Sequence, residues 1–131
     1  MKLKNILLVV KDIEVSKAFY KEVFGLQVLT DLGEKVILTE GLVLQTKSVW
    51  EAAIGKDTVS ENHMMELYFE ENCIDNFVKK LEDSRFEVQF LNTLSEQEDG
   101  RQVVRFYDPD LHVIEVAESF AYVERKRKGL V

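Results

Sequence analysis

Proline is nearly missing from this chain, with Pro109 alone among 131 residues, and only six glycines are present. No low-complexity stretch divides it, so the length fits one compact domain, residues 1–131, long enough to bury a core but short for two independent ones. Cysteine is equally scarce. Cys73 stands alone, which excludes an intramolecular disulfide and agrees with a reducing compartment. No apolar run approaches the roughly 20 residues of a membrane span. "ILLVV" near the start meets charged residues at once and is too short for a signal-peptide core. The chain is therefore read as cytoplasmic. Glycine-rich phosphate loops, a Ser-His-Asp set and a CxxC pair are all lacking.

Charge is unevenly spread. The end "ERKRKGLV" carries four basic side chains and one acid, a local +3 within a whole-chain −7, so the rest stands at −10. An acidic body disfavours nucleic-acid phosphates and suits neutral or cationic small partners. The basic end reads as a solvated helix face.

What the chain does contain is a pattern read twice. "KLKNILLVVKD" has strand length, and "DIEVSKAFYKEVFG" switches to helical spacing, with Val15, Ala18, Phe19 and Val23 on one face. Asp12 suits an N-cap and Gly25 a C-terminal stop. "LQVLTDLGEKVILTEGLVLQTK" then breaks at Gly33 and Gly41 into three strands. In the second half "MMELYF" reads as a strand, "NCIDNFVKKLEDS" as a helix with Ile74, Phe77, Val78 and Leu81 inward, and "FEVQFL", "RQVVRFY" and "HVIEVAE" as strands. The spacing of about 60 residues between Leu26–Val28 and Phe86–Val88 marks a duplication. "SVWEAAIGKDTVSENH" reads as a connector and "SFAYVERKRKG" as a closing helix.

The fold class expected is α+β: two βαβββ units, 1–48 and 63–118, whose curved mixed sheets surround a central cavity, plus a C-terminal helix in the tail 119–131. Strand alternation assigns faces. If Ile6, Leu8 and Val10 pack on the helix, then Asn5, Leu7 and Val9 face inward, as do Val43 with Gln45, Met64 with Glu66 and Tyr68, Arg105 with Tyr107, and Val113 with Glu115.

Two segments, "LVVKDIEVSKAFYKEVFGLQV" and "GRQVVRFYDPDLHVIEVAE", resemble the signatures of the vicinal oxygen chelate superfamily, the glyoxalase, bleomycin-resistance and dioxygenase group. Asp12, Ser16, Phe19, Tyr20 and Gly25 match the first; Phe106, Asp108, Pro109, Asp110 and Glu115 match the second. The likeness extends to about Glu118 and carries fold more strongly than activity.

The resemblance also implies site positions. In metal-using members four ligands come from the first and fourth strands of each unit, and these positions fall on Asn5, Gln45, Met64 (with His63 beside it) and Glu115. Only Gln45 and Glu115 fit, and His63 would join them after a one-residue register slip. Zn²⁺, Ni²⁺, Co²⁺ or Mn²⁺ would be the ion, yet such ions want imidazole, thiolate or carboxylate donors. The two-His, one-carboxylate triad of the dioxygenases is excluded, because His63 and His112 are the only histidines and His112 points away from Glu115.

Each residue also has a plainer reading. Glu115 is either a ligand contact or a hydrogen-bonded remnant, Gln45 a polar edge residue, His63 an exposed loop histidine, Met64 and Met65 core, and Cys73 an inert helix cysteine. Arg105 is either the cation of an aromatic cavity with Tyr68, Tyr107 and Trp50, or the partner of Glu66 or Glu115 across the sheet. Leu111 stands where a glycine usually completes the turn, and a branched side chain resists a left-handed backbone.

The function expected first is binding of a small organic molecule, an antibiotic or a metabolite, by a homodimer with a degenerate metal site and no cofactor. Asn5, Leu7, Gln45, Trp50, Met64, Tyr68, Arg105 and Tyr107 would line it, with no nucleic acid or membrane as partner. A second reading is a metal-dependent lyase or epimerase of the glyoxalase I kind, with Gln45, His63 and Glu115 on the metal and Glu115 or Glu66 moving the proton. A non-catalytic regulatory module is the third.

Overall fold

The computed structural model describes residues 1–131 and divides into two compact units, Met1–Asn62 and His63–Val131. The first contains β1 (Ile6–Val10), α1 (Ile13–Phe24), β2 (Val28–Asp31), β3 (Lys35–Leu38), β4 (Leu42–Thr46) and α2 (Lys47–Ile54). The second contains β5 (Glu66–Glu70), α3 (Ile74–Glu82), β6 (Phe90–Glu96), β7 (Gln102–Tyr107), β8 (Val113–Ala117) and α4 (Phe120–Arg127). Each unit has the βαβββ order and a four-stranded mixed sheet with the same arrangement, β1-β4-β3-β2 and β5-β8-β7-β6. In each, the first strand runs parallel to the fourth and the other pairings are antiparallel. No helix is long and apolar enough to cross a membrane.

Local chemistry sets these boundaries. The Asp12 carboxylate accepts from the backbone N–H of Glu14 and Val15 at 3.1 and 3.3 Å, satisfying two donors that a helix start leaves open. Gly25 closes α1 with φ 72, donating to Lys21 O. Phe19, Tyr20 and Val23 are buried, and α1 packs on β3 and β4, where Val36, Leu38 and Leu44 are buried in turn. In the second unit Ile74 and Leu81 anchor α3, and the Phe77 ring lies 6.2 Å from that of Phe106. One face of each sheet is thus committed to a helix. The site residues belong to the other.

Three readings from sequence need correction. The connector after β4 contains a helix, α2, which ends at Gly55 with φ 67; its Glu51 carboxylate returns to hold Thr58 N and Oγ1 at 2.7 and 2.9 Å. The strand expected over "FEVQFL" starts only at Phe90 and runs on to Glu96. Met64 and Met65 are not core: they precede β5 and are 85% and 48% exposed.

Leu111 takes the left-handed conformation after all, with φ 66. That costs about 1–2 kcal/mol for a residue with a side chain, and Asp108 supplies what offsets it. One carboxylate oxygen accepts from the N–H of Asp110 and of His112, both at 2.9 Å, and the other meets His112 Nδ1 at 2.7 Å. Asp108 N also donates to His112 O at 3.0 Å. The turn is wound around a buried carboxylate.

Burial opposes the charged form of His112, but the hydrogen bond and charge of Asp108, with the charge of Asp110, outweigh it and raise the imidazole pKa. A raised folded-state pKa contributes stability in full below the unfolded value of about 6.5, and loses it as pH climbs through the folded value. The stability gap between the native chain and His112→Gln, from urea unfolding at a series of pH values, should therefore be widest in mild acid and narrow toward pH 9. A gap that does not change with pH would contradict this linkage.

At Gly41, with φ 78, an added Cβ would meet Lys4 O at 2.9 Å. Gly41→Ala should cost about 1–3 kcal/mol in the same unfolding assay, whereas an unchanged midpoint would show that the N-terminal strand can shift to admit it.

Candidate functional site

The register of the second sheet assembles a polar row on the face away from α3. Tyr68 of β5 pairs with Glu115 of β8, Glu115 with Arg105 of β7, and Arg105 with Asn92 of β6. Because side chains alternate along a strand, Glu66, Val113 and Tyr107 lie on the same face two residues along. The sequence assigned Glu66, Tyr68, Arg105, Tyr107, Val113 and Glu115 to the inward faces of their strands, and the sheet brings them to one face.

The centre of the row is an ion pair. Arg105 Nε donates to Glu115 Oε1 at 2.7 Å, and Arg105 Nη1 donates to Asn92 Oδ1 at 3.0 Å. Glu115 is only 7% exposed, so its charge has lost most of its hydration and depends on the guanidinium. Asn92 fixes the plane of that guanidinium. Asn92 was missed from sequence because the alternation in "FLNTLSE" is interrupted by register shifts on either side of it.

Glu66 stands beside this pair. The residue is exposed, yet partial burial of its carboxyl, then the charge of Glu115, push its pKa up from the ordinary value, with Arg105 offsetting part of the effect. Glu66 has no hydrogen bond of its own among the side chains around it. Tyr68, 44% exposed, presents its ring from the same strand; its hydroxyl donates to Glu70 Oε2 and accepts from Arg101 Nη1, both at 3.0 Å. Burial and the Glu70 hydrogen bond raise the Tyr68 pKa, so the phenol stays neutral. His63 has the left-handed φ of 57, and its Nε2 meets the hydroxyl of the buried Tyr107.

The equivalent face of the first unit is apolar by comparison. It carries Leu7, Val9, Val43 and Ile37, with Gln45 paired to Val9 on one side and Lys35 on the other. Gln45 is 6% exposed, and its Nε2 donates to Glu34 O at 2.9 Å. Asn5 lies outside β1, exposed, and its amide donates to Gly41 O at 3.3 Å. It is engaged in holding the chain start to a turn. Trp50 sits on α2, the helix that packs against β1 and β4.

The metal-ligand set suggested by the resemblance does not form a suitable set of donors. Asn5 and Met64 fall before their strands, His63 is engaged by Tyr107, and Glu115 already has a cation on it. No three His, Cys, Asp or Glu side chains are grouped so as to hold a metal ion. The residues present therefore do not fit a tightly held divalent ion.

Comparison with known proteins bears on the fold and the family. A family model described as a glyoxalase-like domain matches residues 3–121. A protein of unknown function from Agrobacterium tumefaciens str. C58 is 34% identical, with TM-score 0.77 over 91% of this chain and 94% of that one. A glyoxalase/bleomycin resistance protein/dioxygenase family enzyme from Burkholderia phytofirmans PsJN is 17% identical, with TM-score 0.74 over 88% and 96%. A lactoylglutathione lyase from Agrobacterium tumefaciens is 20% identical, with TM-score 0.67 over 92% and 95%. Identities this low in the last two carry the fold alone. Among curated proteins no match is found.

Removing one member of a desolvated ion pair leaves the other charge stranded, at a cost of about 3–5 kcal/mol when burial is complete. Arg105 keeps about a third of its side-chain exposure, so Arg105→Gln should cost less, about 2–3 kcal/mol. In a double-mutant cycle, Arg105→Gln with Glu115→Gln should recover most of that loss; simple additivity would mean that the pair is not energetically coupled.

Proposed function

Because the chain belongs to the glyoxalase-like domain family, we propose that it binds a small organic molecule on the Glu66–Tyr68–Glu115–Arg105 face and does so without a resident metal. The observation that carries this reading is the 2.7 Å contact between Arg105 and Glu115. The last carboxylate of the ligand set implied by the resemblance is neutralised from within the chain, and the site keeps an aromatic ring, a fixed cation and two carboxylates for recognising a ligand. The same reading takes residues 1–131 as one domain acting as a cytoplasmic homodimer, with an antibiotic or a metabolite as the ligand.

One observation favours a second reading, a lyase or epimerase. A carboxyl whose pKa is raised, as that of Glu66 is, is suited to taking and returning a proton. In the glyoxalase I type a metal would supply Lewis acidity to paired oxygens of the substrate, and the donor set described above does not provide for it.

The two readings separate by elemental analysis of the purified protein and by turnover of a hemithioacetal before and after adding Ni²⁺, Zn²⁺, Co²⁺ or Mn²⁺. Substoichiometric metal and no turnover are expected, together with amide chemical-shift changes at Tyr68 and Arg105 when a diverse fragment library is screened by NMR. Stoichiometric metal that brings turnover would overturn the first reading in favour of the second.

A further inference from the structure

Three polar groups on the Arg105 face lack hydrogen-bond partners, and they differ in sign. Arg105 uses Nε on Glu115 and Nη1 on Asn92, leaving Nη2 with both its hydrogens undirected. Glu115 uses Oε1 on Arg105, leaving Oε2 accessible from the face, since no buried side-chain oxygen or nitrogen is unpaired. Glu66 uses neither oxygen and lies on the same face, two residues along from the Glu115–Arg105 pair. Two carboxylates thus stand by the Arg105 guanidinium, whose outer edge is still open, while Arg101, which also feels the Glu115 charge, is held by Asp99 and the Tyr68 hydroxyl.

This arrangement discriminates among ligand charges. A simple anion would find the open edge of Arg105 but would also approach Glu66, with no cation to spare for it. A simple cation would relieve the repulsion between Glu66 and Glu115 but would leave Arg105 Nη2 unmet. A molecule with a carboxylate and an ammonium a few ångströms apart satisfies both, and each contact is a charge-assisted hydrogen bond, stronger than a neutral one. The sheet sets the span. Glu66 is on β5 and Arg105 on β7, with β8 between them and an offset of two residues along the strands, so their backbones stand about 12 Å apart, and two long side chains reach inward from either side toward Glu115.

We propose that this face recognises a small zwitterion of the α-amino acid class, its carboxylate on Arg105 Nη2, its ammonium between Glu66 and Glu115 Oε2, and its side chain against the Tyr68 ring. The inference rests on the reading of this face as the ligand site. It adds the charge pattern of the ligand. Val113, which pairs with both Glu66 and Tyr107, supplies the apolar floor, and Asn92 keeps the guanidinium edge turned outward through its bond to Nη1.

Three probes of one shape test it by isothermal titration of the full chain: phenylalanine, phenylalaninamide as the cation alone, and 3-phenylpropanoate as the anion alone. Phenylalanine should bind at least about tenfold more tightly than either, as expected when one charge-assisted hydrogen bond is lost. Glu66→Gln should bring phenylalanine down to the level of 3-phenylpropanoate. Arg105→Gln combined with Glu115→Gln, which strands no buried charge, should remove the preference for phenylalanine over its amide. Equal binding of phenylalanine and either single-charge probe would overturn the proposal, as would failure of all three to bind. Fragments that shift Tyr68 and Arg105 while the zwitterion does not would leave the binding face standing and overturn only its charge pattern. A face that binds no fragment would overturn both.

Discussion

The ion pair between Arg105 and Glu115 is the constraint on which the candidate site depends. A carboxylate among the apolar residues of β8 is tolerable only with a counter-ion in reach, and the antiparallel register of β7 and β8 puts one directly opposite. Several other properties of the face follow from that contact. Asn92 is needed because a guanidinium used at one nitrogen is otherwise free to rotate. Glu66 holds its proton more readily because its carboxyl is partly buried beside the Glu115 charge, which Arg105 offsets only in part. The conflict with a metal site has the same origin, since an ion arriving at Glu115 would have to displace a charge that the sheet holds in place.

Duplication makes the specialisation of this face visible. Gln45 and Glu115 occupy equivalent positions on the fourth strands, and Lys35 and Arg105 are their equivalent neighbours on the third. In the first unit the pair is amide and ammonium; in the second it is carboxylate and guanidinium. The neutral version satisfies its amide on the backbone of Glu34, while the charged version requires a side chain from a third strand. The same backbone thus supports an apolar face in one unit and an ionic one in the other.

Much of this was legible in the sequence, and the failures share a physical cause. Asp12 and Gly25 bounded α1 correctly because capping is local chemistry, and the strand alternation of "RFY" and "HVIEV" put Arg105 and Glu115 on one face for the same reason. The helix α2 was overlooked because it follows β4 directly, without a turn, and its N-cap Thr46 makes no side-chain cap bond. Met64 and Met65 looked like core because hydrophobicity says nothing of where a strand begins. Asn5 looked like a ligand by its position, but its amide is occupied by Gly41 O, a contact 36 residues away that no local pattern encodes. Which of two partners Arg105 would choose depended on strand pairing, and that is a property of the whole sheet.

The correspondence of Lys35 and Gln45 with Arg105 and Glu115 also has an evolutionary side. Gln to Glu and Lys to Arg are each reachable by a single nucleotide change, so the first half of the gene lies two mutational steps from the ion pair of the second. An ancestor with two matching halves would have carried the pair twice or not at all. Whichever came first, the present chain keeps the ionic version in one half and the amide version, with Gln45 bonded to the backbone of Glu34, in the other. The asymmetry between the halves is then a reserve from which a second specificity could arise without disturbing the first.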